Sequence, residues 1–155
     1  MLQRIQSIYL LFAALVILAL FLSPVAHNVY LGGIPSTIKV TGIYQDVNGA
    51  QHLTTPFTVL SIVTAIVGLV PLVIIFLYKN RKQQIMLCYA AILVIIGYSF
   101  WLSQEVKTVT DGFEMKTSNF GIGILLSSIS IVLMILAVKS IQKDEKLVKS
   151  ADRLR

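Results

Sequence analysis

Two histidines are the side chains of this sequence with the most evident potential for metal chemistry. His27 and His52 lie in one loop segment together with Asp46. A structural zinc site needs about four ligands at a characteristic spacing, and cysteine commonly supplies several of them. The histidine spacing matches no such motif, and the single cysteine, Cys88, lies in an apolar run. We interpret the histidines as solvated loop residues and Cys88 as an apolar filler, and we expect no metal and no cofactor.

The sequence offers no clearer evidence for catalysis than for metal binding. Catalysis or proton-coupled transport within a membrane normally uses ionisable groups at depth. The long apolar runs of this chain contain no Asp, Glu, Lys, Arg or His. The sequence also lacks a G-x-S-x-G nucleophile elbow and a glycine-rich phosphate loop. We therefore expect no catalytic residues and no enzymatic activity.

The composition is that of an integral membrane protein. The 155 residues are 56% hydrophobic and only 13% charged, whereas soluble domains carry about 25% charged residues. The mean hydropathy is +0.83. These values exclude a disordered chain, and the single cysteine excludes a disulfide scaffold.

Four apolar runs reach the length of a membrane-spanning helix, about 20 residues at 1.5 Å per residue. They are residues 8–25, 57–78, 85–102 and 120–138. Because only residues 79–84 separate the second run from the third, these two must form an antiparallel hairpin. The sequence predicts one all-α membrane domain over residues 1–155, a bundle of four transmembrane helices. A cleaved signal peptide is the alternative interpretation of the first run.

Basic residues are distributed unevenly along the chain. Arg4, the link at 79–84 and the tail at 139–155 carry most of the 13 lysines and arginines. The other two loops, 26–56 and 103–119, carry only three lysines. The positive-inside rule therefore places both termini in the cytoplasm. The net charge of +6 is interpreted as membrane sidedness, and we expect no nucleic-acid partner.

The two outer loops carry strand signals. Residues 37–44 are rich in β-branched side chains, and Asn48-Gly49, a strong hairpin signal, precedes 51–54. Residues 106–117 repeat this pattern around Asp111-Gly112. We expect a small β-hairpin in each loop, the two pairing into a cap on the bundle. Two mobile loops are the alternative.

Small residues recur at helical spacing on several runs. Such positions let helix backbones approach closely, and hydroxyl groups can form hydrogen bonds between helices. Ala90 and Gly97 form such a stripe on the third run. We predict helix packing at six positions on the second and fourth runs: Ser61, Ala65, Gly68, Gly123, Ser127 and Ser130. Docking of another membrane protein on one of these faces is the alternative.

The basic tail has an apolar stripe at helical period, and Asp144 falls within that stripe. In one explanation the tail lies on anionic lipid, with about 1 kcal/mol contributed by each basic residue. In the other, the stripe docks on a cytoplasmic protein, or on residues 79–84 and Gln3-Arg4, where Asp144 pairs with a cation. The residues assigned to partner or lipid contact are Arg4, Asp144, Leu147, Lys149, Arg153 and Arg155.

Both ends of the chain resemble a known family. The opening residues 2–11 (LQRIQSIYLL) and closing residues 143–155 (KDEKLVKSADRLR) are similar to those of small four-helix inner-membrane proteins from Bacteroidetes. That family is classed as a domain of unknown function. The resemblance implies a bacterial cytoplasmic-membrane location and supplies no activity and no catalytic residues.

These observations favour a non-enzymatic membrane protein that binds a partner in a cell-envelope assembly. Its expected partners are membrane lipids and a membrane or cytoplasmic protein. The alternative is a small carrier or channel for a neutral or lipidic solute. A polar cavity between helices would favour the carrier, and a tightly packed bundle would favour the binding protein.

Overall fold

The computed structural model describes residues 2–47, 49–78, 80–110 and 116–153. Within these residues the chain forms four α-helices and one antiparallel sheet of four strands. The helices are α1 Leu2–Leu18, α2 Thr58–Phe76, α3 Arg81–Val109 and α4 Gly123–Arg153. The strands are β1 Ala26–Leu31, β2 Ile34–Lys39, β3 Gly42–Val47 and β4 Ala50–Pro56. Two short 3₁₀ turns, Ala19–Phe21 and Thr117–Asn119, complete the elements.

The predicted fold class, an all-α bundle of four transmembrane helices, is wrong in two respects. Among the described residues, three helices, α2, α3 and α4, are long and apolar enough to cross a membrane. The apolar helical stretch of the first run covers only Ile5–Phe21, because the residues that approach Pro24 leave the helical conformation. The second difference is the sheet, which is a central element of the fold.

The sheet comes entirely from the segment between α1 and α2 and has the order β1-β2-β3-β4. The hairpin predicted at Asn48-Gly49 is present, since Val47 pairs with Ala50 across it. The single strand predicted over 37–44 is instead divided into β2 and β3 at Gly42, where φ is +148°. A Cβ at Gly42 would collide with the Thr55 carbonyl oxygen, so this reversal requires glycine.

The second predicted hairpin is wrong for the residues that the structure describes. Residues 106–110 belong to the last turns of α3 and its C-terminal cap, while 111–115 lie outside the described residues. Leu102, Val106 and Thr110 are all buried at i, i+4 spacing, so packing extends the helical period past the β-branched residues. The cap is therefore not built from two paired hairpins, although an isolated bridge joins Ala26 to Phe120.

Helices α1 and α4 lie antiparallel along their length and form the centre of the bundle. At one end the Gln6 side chain contacts Asp144, and midway the Ser130 hydroxyl donates to the Ala13 carbonyl oxygen at 3.1 Å. At the other end the Gly123 N–H donates to the carbonyl oxygen of Pro24 at 3.0 Å. The sheet is attached at this last end, which we call the sheet end. The opposite end is called the basic end.

Candidate binding cleft and polar cluster

A cleft of about 350 Å³ lies between α3 and α4 at the sheet end of the bundle. Its walls combine three kinds of side chain. The apolar lining residues are Val25, Leu102, Val106, Phe120 and Ile124. The hydroxyl-bearing residues are Ser99, Ser103, Thr110, Ser127 and Ser128. One lysine, Lys107, completes the lining.

Small side chains on both helices create this cleft. On α3, Ser99 and Ser103 are one turn apart and face the same side as Lys107. On α4, Ser127 and Ser128 lie in the second turn after the helix begins. Where these serines face one another, no large side chain fills the space between the helices. The cavity volume lies within the range of small-molecule pockets, about 300–1,000 Å³.

The hydroxyl groups differ in how they are already bonded. Ser99 donates to the Ile95 carbonyl oxygen at 2.7 Å, and Thr110 donates to that of Val106 at 2.8 Å. These two are satisfied by their own helix. Ser127 is only 2% exposed, and its hydroxyl forms no hydrogen bond with a described residue. Ser127 is therefore the polar group best placed to bind a molecule in the cleft.

Lys107 is the charged residue of the cleft lining. Its side chain is exposed and makes no ion pair with any residue that the structure describes. Apolar walls bind hydrocarbon, whereas a hydroxyl and an ammonium group bind polar or anionic atoms. The cleft is thus suited to an amphipathic ligand rather than a wholly apolar one.

A polar cluster closes the basic end. The Gln6 amide donates to Asp144 Oδ2 at 3.0 Å, and Arg81 Nη2 lies 3.9 Å from the same oxygen. Gln6 and Asp144 are 5% and 8% exposed. Nearby, the Gln84 amide donates to the Ile74 carbonyl oxygen at 3.2 Å. These bonds join the ends of α1, α3 and α4, so the cluster holds the bundle together rather than presenting an open site.

The predicted packing residues of α4 have different environments. Ser130 is fully buried and bonds to α1, as described above. Gly123 faces the turn before β1, because an added Cβ would lie 2.8 Å from the Pro24 carbonyl oxygen. Ser127 lies at the cleft. The stripe therefore serves both helix packing and the cleft.

On α2, Gly68 faces α1, since an added Cβ would lie 2.8 Å from Leu18 Cδ2. The Ser61 hydroxyl donates to the Val40 carbonyl oxygen at 3.1 Å and so joins α2 to the sheet. Ala65 is half-buried. On α3, by contrast, Gly97 is exposed and an added Cβ would meet no atom within 4 Å.

Among the residues assigned to partner or lipid contact, Asp144 and Leu147 have described side chains. Asp144 is occupied by side chains of its own chain, while Leu147 on the same helix is 49% exposed. Three others lie in described helical segments whose side-chain placement is not described: Arg4, Lys149 and Arg153. Arg155 lies outside the described residues.

One of the two interpretations of the tail paired Asp144 with a cation of residues 79–84 or Gln3-Arg4, and Arg81 of that link lies 3.9 Å from Asp144; Gln6 was not singled out as a partner. Sequence reasoning counted Lys107 only as a charge on the outer side. The signal for the cluster was available in part, because Asp144 interrupts an apolar stripe and requires a polar partner when buried. The two histidines are far from this cluster: His27 is on β1 and His52 on β4. No group of three or more metal-ligating side chains occurs in the described part of the chain.

In the part of the chain that the structure describes, the fold and cleft define a small protein with three helices long and apolar enough to cross a membrane, a sheet at one end, and a ligand-sized cleft beneath it. The family model described as "Domain of unknown function (DUF4293)" matches residues 2–154. The chain belongs to this family, which confirms the resemblance to a family of unknown function. No curated protein and no solved structure matches the chain.

Proposed function

We propose that this chain is a multi-pass membrane protein that acts by binding rather than by catalysis, with the α3–α4 cleft as its ligand site. A membrane setting is supported by the outer face of α2, where Ile62, Ile66 and Val73 are 55%, 58% and 60% exposed. A large apolar face of this kind is stable when lipid covers it.

The observation that carries the proposal is the contrast between the two ends of α4. At the sheet end, α4 borders the cleft at Ser127. Toward the basic end, the next inward-facing side chains of α4 are all 0% exposed: Ser130, Met134, Ala137 and Ile141. A site that is open at one end and closely packed at the other binds a ligand without offering a path through the bundle.

The lining of the cleft argues against catalysis. Nucleophilic catalysis needs a nucleophile within hydrogen-bond reach of a base. The described part of the lining contains no Asp, Glu, His or Cys. Lys107 is exposed, whereas a lysine that serves as a base is usually desolvated. Ser127 is therefore proposed as a binding group.

The proposed location is the bacterial inner membrane, with the basic end in the cytoplasm. This orientation rests on the positive-inside rule and on the lysines and arginines of the link at 79–84 and the tail at 139–155. The sheet and the mouth of the cleft then face the opposite side. There the protein is available to membrane lipids and to other components of an envelope assembly.

The test is to fill the cleft and compare what the purified protein retains. Ser103 lines the cleft, whereas its exposed neighbour Gln104 does not. Native mass spectrometry of protein extracted in mild detergent should show a bound small molecule in the wild type and in Gln104→Phe. The adduct should be lost in Ser103→Phe. An adduct that survives in both variants would place binding elsewhere and refute the assignment.

A carrier for a neutral or lipidic solute is the second candidate, since hydroxyl groups line a cavity between two helices. Flux of a solute into liposomes that contain the purified protein, abolished by Ser103→Phe, would favour the carrier. Binding without flux favours the function proposed first.

A further inference from the structure

The charge of the residues that line the cleft indicates the charge of the ligand that the cleft binds. Among the described residues, its lining includes one ionisable side chain, the ammonium group of Lys107. No carboxylate of the described residues neutralises that group. A site whose lining charge is positive favours a ligand whose polar end is negative, because the two attract at the mouth of the cleft.

The dimensions of the cleft restrict the apolar part of the ligand. On α3 the lining extends from Ser99 to the C-cap residue Thr110 on one helix face, a distance of about 16 Å along the axis at 1.5 Å per residue. The volume of about 350 Å³ lies near the lower limit of small-molecule pockets, which begins at about 300 Å³. A single hydrocarbon chain suits this elongated, narrow space better than the paired chains of a bilayer phospholipid.

The hydroxyl of Ser127 fits the same ligand. Ser127 lines the cleft, is 2% exposed as a residue and makes no hydrogen bond with another described residue. A headgroup oxygen in the cleft would give this hydroxyl an acceptor. Two independent groups, one charged and one neutral, therefore favour a ligand with acceptor oxygens next to its hydrocarbon chain.

Resting on the function proposed above, we infer that the cleft binds a single-chain amphiphile with an anionic oxygen headgroup, such as a long-chain carboxylate. The hydrocarbon chain lies against Leu102, Val106 and Ile124, and the headgroup contacts Lys107 and Ser127. The membrane leaflet on the sheet side supplies the ligand, because the cleft lies at that end of the bundle.

The experiment compares two photoreactive probes that differ only in the headgroup: diazirine-bearing palmitic acid and the matching long-chain alcohol. The protein is placed in nanodiscs of zwitterionic phospholipid, and labelled peptides are mapped by mass spectrometry. The acid should label α3 and α4 saturably and bind about fivefold more tightly than the alcohol, the upper range for an exposed ion pair. Lys107→Gln should remove this preference, and Lys116→Gln, an exposed lysine outside the cleft lining, should retain it.

The outcomes separate this inference from the proposed function. Equal saturable binding of acid and alcohol to the wild type would overturn the anionic headgroup and leave a binding cleft. No saturable labelling by either probe, with the native adduct still lost in Ser103→Phe, would overturn the single-chain ligand alone. If neither the labelling nor the native adduct is found, both proposals fail.

Discussion

Gly123 lies at the start of α4, against the backbone of the segment between α1 and β1. A Cβ added there would be 2.8 Å from the Pro24 carbonyl oxygen and 3.2 Å from Val25 Cα. Both are main-chain atoms, so no side-chain rotation can relieve the contact. The Gly123 N–H also donates to the same Pro24 oxygen at 3.0 Å. Gly123→Ala should therefore push the two segments apart and weaken that hydrogen bond.

The expected cost follows from these contacts. Overpacking of a close-packed site costs about 1–3 kcal/mol, and a weakened hydrogen bond adds up to about 1 kcal/mol. Alanine recovers less than about 1 kcal/mol through its higher helix propensity. The net loss in the free energy of unfolding is about 2 kcal/mol, which for a chain of 155 residues lowers the unfolding midpoint by about 4–8 °C.

Two other glycines provide matched comparisons. Gly97 is exposed on α3, and an added Cβ would meet nothing within 4 Å, so Gly97→Ala should leave the midpoint unchanged or raise it slightly. Gly68 faces the flexible tip of Leu18, with Cδ2 at 2.8 Å from the added Cβ. Because that tip can move, Gly68→Ala should fall between the other two.

Thermal unfolding in detergent, followed by circular dichroism at one protein concentration, measures all three variants. The predicted order of midpoints is Gly97→Ala, then Gly68→Ala, then Gly123→Ala as the lowest. A Gly123→Ala midpoint equal to that of Gly97→Ala would refute the close approach of α4 to the segment before β1.

Three further predictions concern other contacts. Asp144→Ala should lower stability by about 2 kcal/mol, since it removes a charge-assisted hydrogen bond and leaves a cation without its partner; Asp144→Asn keeps an acceptor oxygen and should lose less in the same thermal assay. Tyr98→Phe should cost only about 1 kcal/mol, because the threonine hydroxyl that it contacts at 2.7 Å also bonds to its own helix; a loss above about 3 kcal/mol would contradict this. In a Cys88→Ala background, Gln51→Cys should react with an impermeant thiol reagent on intact cells and Asn80→Cys should not; the reverse pattern would invert the proposed orientation.

Apolar length predicted the interiors of the helices better than their ends. The run at 85–102 lies inside α3, but that helix extends from Arg81 to Val109. The added turns contain polar residues that pack on neighbouring elements, as Gln84 does on the carbonyl of Ile74. A hydropathy pattern ends where polar residues begin, whereas a helix continues while its buried face still has contacts.

The sheet shows which sequence signals for strands and hairpins were sufficient to predict its elements. Asn48-Gly49 correctly predicted the β3–β4 hairpin. Gly32-Gly33 is also a two-residue hairpin signal, and it joins β1 to β2 with φ values of +61° and +83°, but sequence reasoning overlooked it. Residues 106–110 show the opposite error, because their β-branched composition did not outweigh burial on α3.

Which face of α3 is buried depends on the helices that pack against it, and not on the size of its own residues. Small size suggested Ala90 and Gly97, yet both are exposed, and the buried face carries Ala91, Ile95 and Tyr98. The sequence could not predict the cleft either, because the cleft exists only where serines from two consecutive helices face each other. Ser127 was predicted as a helix-packing residue and lies at the cleft, because nothing in its own helix distinguishes an empty space from a packed one.

The antiparallel pairing of α1 with α4 has a consequence for biosynthesis. Ala13 and Ser130 are bonded to each other, although more than a hundred residues separate them. While the ribosome makes the chain, α1 must therefore wait for α4, the last of the described helices, before this bond can form. A chain that stops after α3 would leave Ala13, Ile17 and Leu20 uncovered by α4. Quality-control proteases that recognise exposed apolar helix faces would find their substrate in the truncated chain and lose it once α4 arrives.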